Sequence, residues 1–262
     1  MSGAGLLDGR VVLVSGGTAG VGAACARTAA REGAAAVAVT GRRREPGEKL
    51  VAELAEQGVR ALFVPCDVAD PDACRDAVTA VVAGYGRVDC LVNAAGLTDR
   101  GTLLDTTPEL FDRHVAVNLR GPFFLMQAAV ADMVSRGEPG TVVNVVSEAA
   151  HGGAPVLAPY VAAKAGLAGL VRNAAHAHRF DRVRINGLNI GWTDTEGEDA
   201  TQRRFHGAGD DWRERAGERL PMGRLATARD AAEAVVFLLS DRSGVVTGSV
   251  MDWDQNVVGA HD

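Results

Sequence analysis

Short runs rich in Val and Ile alternate with Ala-rich stretches along most of this chain, and this alternation constrains the fold more than any other feature. Seven runs read as strands that are apolar on both faces, and they cover Arg10–Ser15, Ala36–Thr40, Ala61–Pro65, Val88–Val92, Thr141–Val146, Val183–Leu188 and Ser249–Asp252. Between them, helical periodicity covers Gly20–Glu32, Glu45–Glu56, Pro71–Ala83, Pro108–Met133, Pro159–His178 and Ala228–Ser240. Because strands that alternate with helices are joined by right-handed crossovers, the sequence predicts an α/β fold of Rossmann type. We expect a doubly wound parallel sheet of about seven strands with helices on both faces.

A length of 262 residues is compatible with one domain of this type, so we expect a single domain over residues 1–262. The segment between Gly191 and Gly223 departs from the alternation, because it is polar and densely charged. Ligands of open α/β sheets bind at the carboxyl edge of the strands, and a long insertion after a strand lies at that edge. The segment is therefore predicted to form a substrate lid. The alternative is a solvent-exposed surface loop without a role in binding.

Composition excludes several classes of protein. A net charge of -6 without any basic block argues against nucleic acid as a partner. No stretch approaches the roughly 18 apolar residues of a membrane span. The four cysteines lack the spacing of a metal site or a redox dithiol and are expected to be buried thiols. We therefore expect a cytoplasmic protein without a bound metal.

The first predicted strand leads into Ser-Gly-Gly-Thr-Ala-Gly-Val-Gly, and the first predicted helix follows directly. In this segment Gly16 allows a sharp turn, Gly20 lets the backbone approach a diphosphate, and Gly22 lets the helix pack close to the sheet. The diphosphate would face the amides of a helix N-terminus, which favour negative charge. Since the segment follows a strand and opens a helix, it predicts a dinucleotide site that also includes Thr18 and Val21.

Cofactor choice is expected to depend on the residues that end the second predicted strand. A carboxylate there would accept hydrogen bonds from the ribose of NAD, whereas a cation would favour the extra phosphate of NADP. Gly41 supplies no carboxylate, and Arg42 and Arg43 follow it. Because arginine matches phosphate geometry, NADP(H) is favoured and NAD(H) stays possible. The alternative is that these arginines only solvate the start of a helix.

A candidate catalytic group lies farther along the chain. Tyr160 and Lys164 stand four residues apart in a predicted helix, so both side chains share one face. Ser147 follows a predicted strand and is delivered to the same edge of the sheet. A phenol with a pKa of about 10 exchanges protons poorly at neutral pH, and a neighbouring cation would lower that pKa by about one to three units. The group predicts hydride transfer between a nicotinamide and a carbonyl or alcohol, with Tyr160 as acid and base, Lys164 as its helper and Ser147 holding the substrate oxygen.

With these motifs, the chain resembles the classical short-chain dehydrogenase/reductase family over nearly its whole length. The glycine segment is similar to the family's TGxxxGxG loop, with Ser15 in place of the threonine. Asn118 matches the asparagine that holds a water in the family's proton relay, which implies the catalytic set Asn118, Ser147, Tyr160 and Lys164. The resemblance also implies cofactor contacts by Asp67, Val68, Asn93, Ala94, Gly96, Tyr160, Lys164, Ile190, Thr193 and Thr195.

The chain departs from the family pattern in two places. Ile190-Gly191 stands where the family usually has Pro-Gly, and the loss of the proline loosens a rigid turn. Asp252-Trp253-Asp254-Gln255 replaces the family's usual Asp-Gly-Gly. Family members are typically tetramers, so the resemblance implies a homotetramer, with a dimer as the alternative.

The residues between Ser147 and Tyr160 are expected to line the substrate site. Glu148 and His151, with Trp192 beyond the last cofactor turn, are candidate substrate contacts; an exposed histidine and a tryptophan that caps the core are the alternatives. These polar groups favour a sugar, polyol or other hydroxylated ketone, while a 3-oxoacyl thioester or a cyclic ketone stays open. A non-catalytic dinucleotide sensor would not need the four catalytic residues, and an epimerase or dehydratase usually has a larger substrate domain.

Overall fold

Seven parallel strands form the central sheet of the computed structural model, which describes residues 5–259. In chain order these strands are β1 (Val11–Ser15), β2 (Ala36–Gly41), β3 (Arg60–Pro65), β4 (Cys90–Asn93), β5 (Gly140–Val145), β6 (Val183–Ile190) and β9 (Val250–Trp253). The short strands β7 (Thr193–Asp194) and β8 (Ala226–Thr227) pair with each other in a two-stranded ladder. The order across the large sheet is β3-β2-β1-β4-β5-β6-β9, which confirms the predicted doubly wound arrangement.

Helices cover both faces of the sheet. They are α1 (Gly20–Arg31), α2 (Arg44–Glu56), α3 (Pro71–Tyr85), α4 (Pro108–Val115), α5 (Gly121–Arg136), α6 (Ala158–His178), α7 (Glu196–His206), α8 (Trp212–Gly217) and α9 (Ala228–Leu239). Successive residues of a strand point to opposite faces, so Val12 and Val14 pack with α1, α2 and α9, while Val11 and Leu13 pack with α3, α5 and α6. The runs without polar alternation in the sequence are therefore strands buried on both sides.

The stretch predicted as one helix over Pro108–Met133 is divided in the structure. A π-helical turn over Ala116–Arg120 separates α4 from α5. Pro122 has no N–H, and in a regular α-helix that N–H would bond the carbonyl of Asn118. The proline thus accounts for the break, which periodicity alone does not reveal.

The polar segment after β6 also contains more regular structure than expected. It holds α7 and α8, and a small apolar cluster of Trp192, Trp212 and Leu225 anchors it. Its charged residues largely pair with one another, as in the contact of Arg213 Nε with Asp194 Oδ1 at 2.7 Å. Sparse apolar residues gave too weak a periodicity to predict these helices. Across residues 5–259, the structure contains no helix that is both long and apolar enough to cross a membrane.

Candidate active site

A cavity of about 1230 Å³ opens at the carboxyl edge of the sheet. All predicted catalytic, cofactor and substrate residues line this cavity except Asn93 and Asn118. The Asn93 side chain is buried, and its Nδ2 donates to Asn144 Oδ1 at 2.9 Å. That side chain ties β4 to β5 and does not face the cavity.

The glycine loop between β1 and α1 has the shape of a cradle for a diphosphate. Gly16 has a φ of 70°, and a Cβ there would lie 2.6 Å from the Cα of Ala95. At Gly20 a Cβ would meet only the Thr195 side chain, at 3.4 Å, so the loop backbone is open on that side. The residue before α1 is Ala19, which has no side-chain acceptor for the first amides of the helix. These free donors and the close backbone fit the diphosphate of a dinucleotide.

Gly22 provides a direct test of this packing. A Cβ at Gly22 would lie 2.3 Å from the carbonyl oxygen of Gly16, so the Gly22→Ala substitution is expected to destabilise the fold by about 1–3 kcal/mol. It is also expected to weaken dinucleotide binding, because the loop must move. Urea unfolding and titration calorimetry would measure the two effects.

Gly169 is the matched control, since it is also helical but a Cβ there would have no atom within 4 Å. Gly169→Ala is expected to leave binding unchanged and to stabilise α6 by up to about 1 kcal/mol. Equal stabilities of the two variants would show that the loop is not tightly packed at Gly22.

Arg42 and Arg43 line the cavity beyond the glycine loop, and their side chains are exposed. A Cβ at Gly41 would lie 2.6 Å from Cγ2 of Thr18, so a carboxylate side chain there would displace Thr18. Arg44 differs from its neighbours, because it contacts Glu48 at 2.9 Å and lies outside the lining. Two cations and no carboxylate thus follow the end of β2 at this part of the cavity.

Tyr160, Lys164 and Ser147 lie together beside the cavity, and all three are buried. The Lys164 ammonium lies 5.7 Å from the centre of the Tyr160 ring and donates a hydrogen bond of 2.7 Å to the carbonyl oxygen of Val145. The Ser147 hydroxyl lies next to the phenol, where its interaction acts to lower the pKa of Tyr160, and its Oγ accepts from the Ala149 amide at 3.2 Å. The start of α6 and the end of β5 thus bring a phenol, an ammonium and a hydroxyl to one point.

The pKa of Tyr160 is raised to about 12, mainly because burial disfavours phenolate, and this outweighs the hydrogen bond from Ser147. The direction is opposite to the lowering expected from the sequence. Burial also lowers the pKa of Lys164 to about 8. At neutral pH the group therefore holds a protonated phenol beside an ammonium ion.

Asn118 lies within the π-helical turn and is completely buried. Its Oδ1 accepts from the Leu97 amide and its Nδ2 donates to the Leu97 carbonyl, both at 3.0 Å. The side chain therefore holds the loop after β4, which lines the cavity. Because Pro122 lacks an N–H, the Asn118 carbonyl has lost its regular helical partner.

The opposite rim of the cavity is polar. His151 Nε2 lies 2.7 Å from Asp252 Oδ1, and Asn189 donates to the same oxygen at 2.7 Å. Beside them, Asn256 Nδ2 donates to Glu148 Oε2 at 2.5 Å. The sequence analysis predicted His151 and Glu148 but not their partners, which lie in β6, in β9 and in the tail after β9, far away in sequence.

Glu148 is half-buried, and burial raises its pKa, with the neighbouring Asp254 carboxyl adding to the effect. The Oδ2 of Asp254 is buried without a hydrogen-bond partner. A proton held by Glu148 would satisfy that oxygen, since a protonated carboxyl donates one hydrogen bond. The rim therefore offers both donors and acceptors.

Trp192 lines the cavity and also belongs to the apolar cluster of the polar segment. Its ring stacks on Trp212 with 6.1 Å between centres, and its Nε1 donates to Glu198 at 2.8 Å. Gln255, from the unusual tail, holds the same segment, because it accepts from the Met222 amide at 2.8 Å and donates to the Arg224 carbonyl at 2.7 Å. The tail that replaces the family's Asp-Gly-Gly thus holds the polar segment in place through Gln255.

Comparison with known proteins gives matches over nearly the whole chain. A family model described as enoyl-(acyl carrier protein) reductase matches residues 16–255. An L-rhamnose 1-dehydrogenase (NAD(P)(+)) from Sphingomonas sp. is 36% identical over 246 residues, which cover 94% of this chain and 95% of that protein.

Solved structures give the same result. A variant of the actinorhodin polyketide ketoreductase with NADPH has a TM-score of 0.90 at 30% identity and covers 96% of this chain and 98% of its own. A protein described as a short chain dehydrogenase/reductase family protein has a TM-score of 0.81 at 36% identity, with coverage of 95% and 98%.

Proposed function

The chain belongs to the short-chain dehydrogenase/reductase family, whose members are oxidoreductases of CH–OH and carbonyl groups, and from this membership we propose that it interconverts a hydroxylated ketone and its alcohol. The observation that carries the proposal is the buried contact of Tyr160 with Ser147 beside the Lys164 ammonium, at the edge of a cavity with a diphosphate cradle. A bound nicotinamide would supply or accept the hydride.

Each catalytic side chain has a definite task in this proposal. Tyr160 is protonated at neutral pH and is ready to donate to the alkoxide that forms as a carbonyl is reduced, since an alkoxide is a much stronger base than a phenolate. Ser147 donates to the substrate oxygen and holds it beside the phenol. Lys164 stabilises the phenolate that is left behind, and Asn118 belongs to the relay that returns a proton to Tyr160. Alcohol oxidation uses the same groups in reverse.

NADP(H) is the proposed cofactor, with NAD(H) as a weaker alternative, because Arg42 and Arg43 line the cavity and Gly41 offers no carboxylate. A guanidinium can bind a phosphate through two parallel hydrogen bonds. Neither arginine could replace a carboxylate as an acceptor for ribose hydroxyls.

Replacing Arg42 tests this choice. Arg42→Ala is expected to weaken NADP+ binding by about 10- to 100-fold, the effect of one charge-assisted hydrogen-bonded contact, with little change for NAD+. Titration calorimetry with both dinucleotides would measure it. Arg44→Ala is the control and is expected to change neither affinity, because Arg44 is held by Glu48. Equal losses for both dinucleotides at Arg42 would contradict the assignment.

A sugar, polyol or other hydroxylated ketone is the proposed substrate class. Glu148, His151 and Asn256 place hydrogen-bonding groups around the cavity beside Ser147. The carboxyl and amide among them can each take part in more hydrogen bonds than the one they share, so substrate hydroxyls could bind there. The Asp254 carboxylate lines the same rim and disfavours an anionic group there, such as an acyl carrier thioester would bring.

A screen of sugars, polyols, plain ketones and a 3-oxoacyl thioester with both dinucleotides would test the function by the absorbance of the reduced nicotinamide. We expect turnover with hydroxylated substrates and a loss of about tenfold in kcat/KM for them in Glu148→Gln, the effect of one weakened hydrogen bond. Plain ketones should lose less. Glu138→Gln, in an exposed loop away from the lining, is the control. Preferred turnover of the thioester would overturn the substrate class, and no turnover with any compound would contradict the function.

We also propose that the segment over residues 191–223 acts as the substrate lid. Trp192, Thr195, Glu198 and Gln202 from this segment line the cavity. Arg100, from the opposite loop, donates to His206 of α7 at 3.1 Å. The segment therefore contacts both sides of the cavity that it would close.

A further inference from the structure

His114, near the end of α4, is a completely buried histidine next to the catalytic residues. Its ring is nearly perpendicular to the Tyr160 ring, with 6.2 Å between the ring centres. Both of its nitrogens have partners, since Nε2 lies 3.0 Å from the Asp99 carbonyl oxygen and Nδ1 lies 3.2 Å from Nδ2 of Asn118. A buried polar ring is tolerated only where its nitrogens are hydrogen-bonded. These two contacts therefore account for a histidine at this position.

The hydrogen bonds around Asn118 determine where the protons lie. The Leu97 amide can only donate, so the Asn118 atom that faces it is Oδ1. Nδ2 then donates one hydrogen to the Leu97 carbonyl and the other to His114 Nδ1. Since Nδ1 must accept, the ring proton is on Nε2, where the Asp99 carbonyl accepts it. Burial lowers the pKa of His114 and so favours this neutral form.

We propose that His114 is a positioning residue that fixes the amide of Asn118 and, through it, the loop after β4. This inference rests on the proposed function, in which Asn118 belongs to the proton relay. Without the acceptor at His114, one N–H of Asn118 would be buried without a partner, and the amide would turn away from its present place to find one. The Asp99 carbonyl would lose its partner at the same time, so the loop over residues 97–99 would be released at two points.

Two substitutions separate the hydrogen bond from the packing of the ring. His114→Phe keeps an aromatic ring against Tyr160 but removes both nitrogens. His114→Asn removes the ring but puts an amide oxygen near the place of Nδ1, where it can accept from Asn118. We expect kcat to fall about tenfold in His114→Phe, the rate equivalent of one lost hydrogen bond, with little change in KM. In His114→Asn, kcat should be largely restored even if the protein is less stable.

A double-mutant cycle with Asn118→Ala decides whether His114 acts through Asn118. If it does, His114→Phe in the Asn118→Ala background will cause no further loss of kcat. Multiplied losses in the double variant would overturn the proposal, as would wild-type kcat in His114→Phe. Equal losses of kcat in His114→Phe and His114→Asn would also overturn it, because they would indicate a role in packing alone.

Hydrogen–deuterium exchange of the Leu97 amide gives a readout that needs no turnover. The bond from this amide to Asn118 Oδ1 should protect it in the wild type and in His114→Asn, and exchange should be faster in His114→Phe and Asn118→Ala. Unchanged exchange in His114→Phe would overturn the positioning role. If the wild type turns over no substrate but the exchange follows the expected order, the proposed function fails while the positioning role stands.

Discussion

Replacing Tyr160 with phenylalanine is expected to lower kcat by about 100- to 10,000-fold, the range that a positioned acid or base contributes. The substitution removes only the phenolic oxygen, and the ring keeps its contacts with His114 and the rest of α6. Dinucleotide affinity should therefore change little. Steady-state kinetics with the best substrate of the screen, and calorimetry for the dinucleotide, would measure both.

The second tyrosine of the chain is the matched control for this experiment. Tyr85 ends α3, and the guanidinium of Arg60 lies 4.7 Å from its ring centre. Tyr85 does not line the cavity, so Tyr85→Phe is expected to leave kcat unchanged. Turnover at the wild-type rate in Tyr160→Phe would mean that another group moves the proton.

Replacing Lys164 with methionine is expected to lower kcat by about 100-fold, because a neighbouring cation changes a phenol's pKa by about one to three units. Methionine has a similar length and no charge, so the fold should be retained, and removal of a buried ammonium also removes its desolvation cost. Thermal unfolding would confirm that the variant is folded. A variant with wild-type kcat would show that the ammonium does not stabilise phenolate.

The pH profile gives a second test of Lys164. Burial lowers the pKa of Lys164 to about 8, so the side chain is charged below that pH and loses its charge above it. Burial raises the pKa of Tyr160 to about 12, so the phenol keeps its proton across the same range. The kcat/KM for carbonyl reduction is therefore expected to be level from neutral pH to about 8 and to fall above it. In Lys164→Met this fall should be absent, and its persistence would assign it to another group.

The fold can be predicted from the sequence where local patterns decide the structure. Strands that are buried on both faces consist mostly of apolar residues, so the strand over Val11–Ser15 could be recognised without its neighbours. The glycine loop was equally recognisable, because close backbone contacts leave no room for a side chain at Gly16 or Gly22 and these glycines are only six residues apart. These local constraints were sufficient to predict the sheet and the glycine loop that lines one end of the cavity.

Features that depend on distant contacts were not predictable in this way. The polar rim joins Glu148 to Asn256, and His151 to Asp252, across about a hundred positions of sequence. His114 carries no signal in its own neighbourhood, because its role depends on the fold of the loop after β4. The direction of the pKa of Tyr160 also depends on burial, which outweighs the local pairing that the sequence suggested.

The placement of the tryptophans has a practical consequence. The chain has three, and Trp192 and Trp212 lie in the segment over residues 191–223, while Trp253 donates to the Asp230 carbonyl just beyond it. The intrinsic fluorescence of the protein therefore comes almost entirely from one side of the cavity. Any movement of that segment on ligand binding would change this emission, so fluorescence could follow ligand binding without an added label.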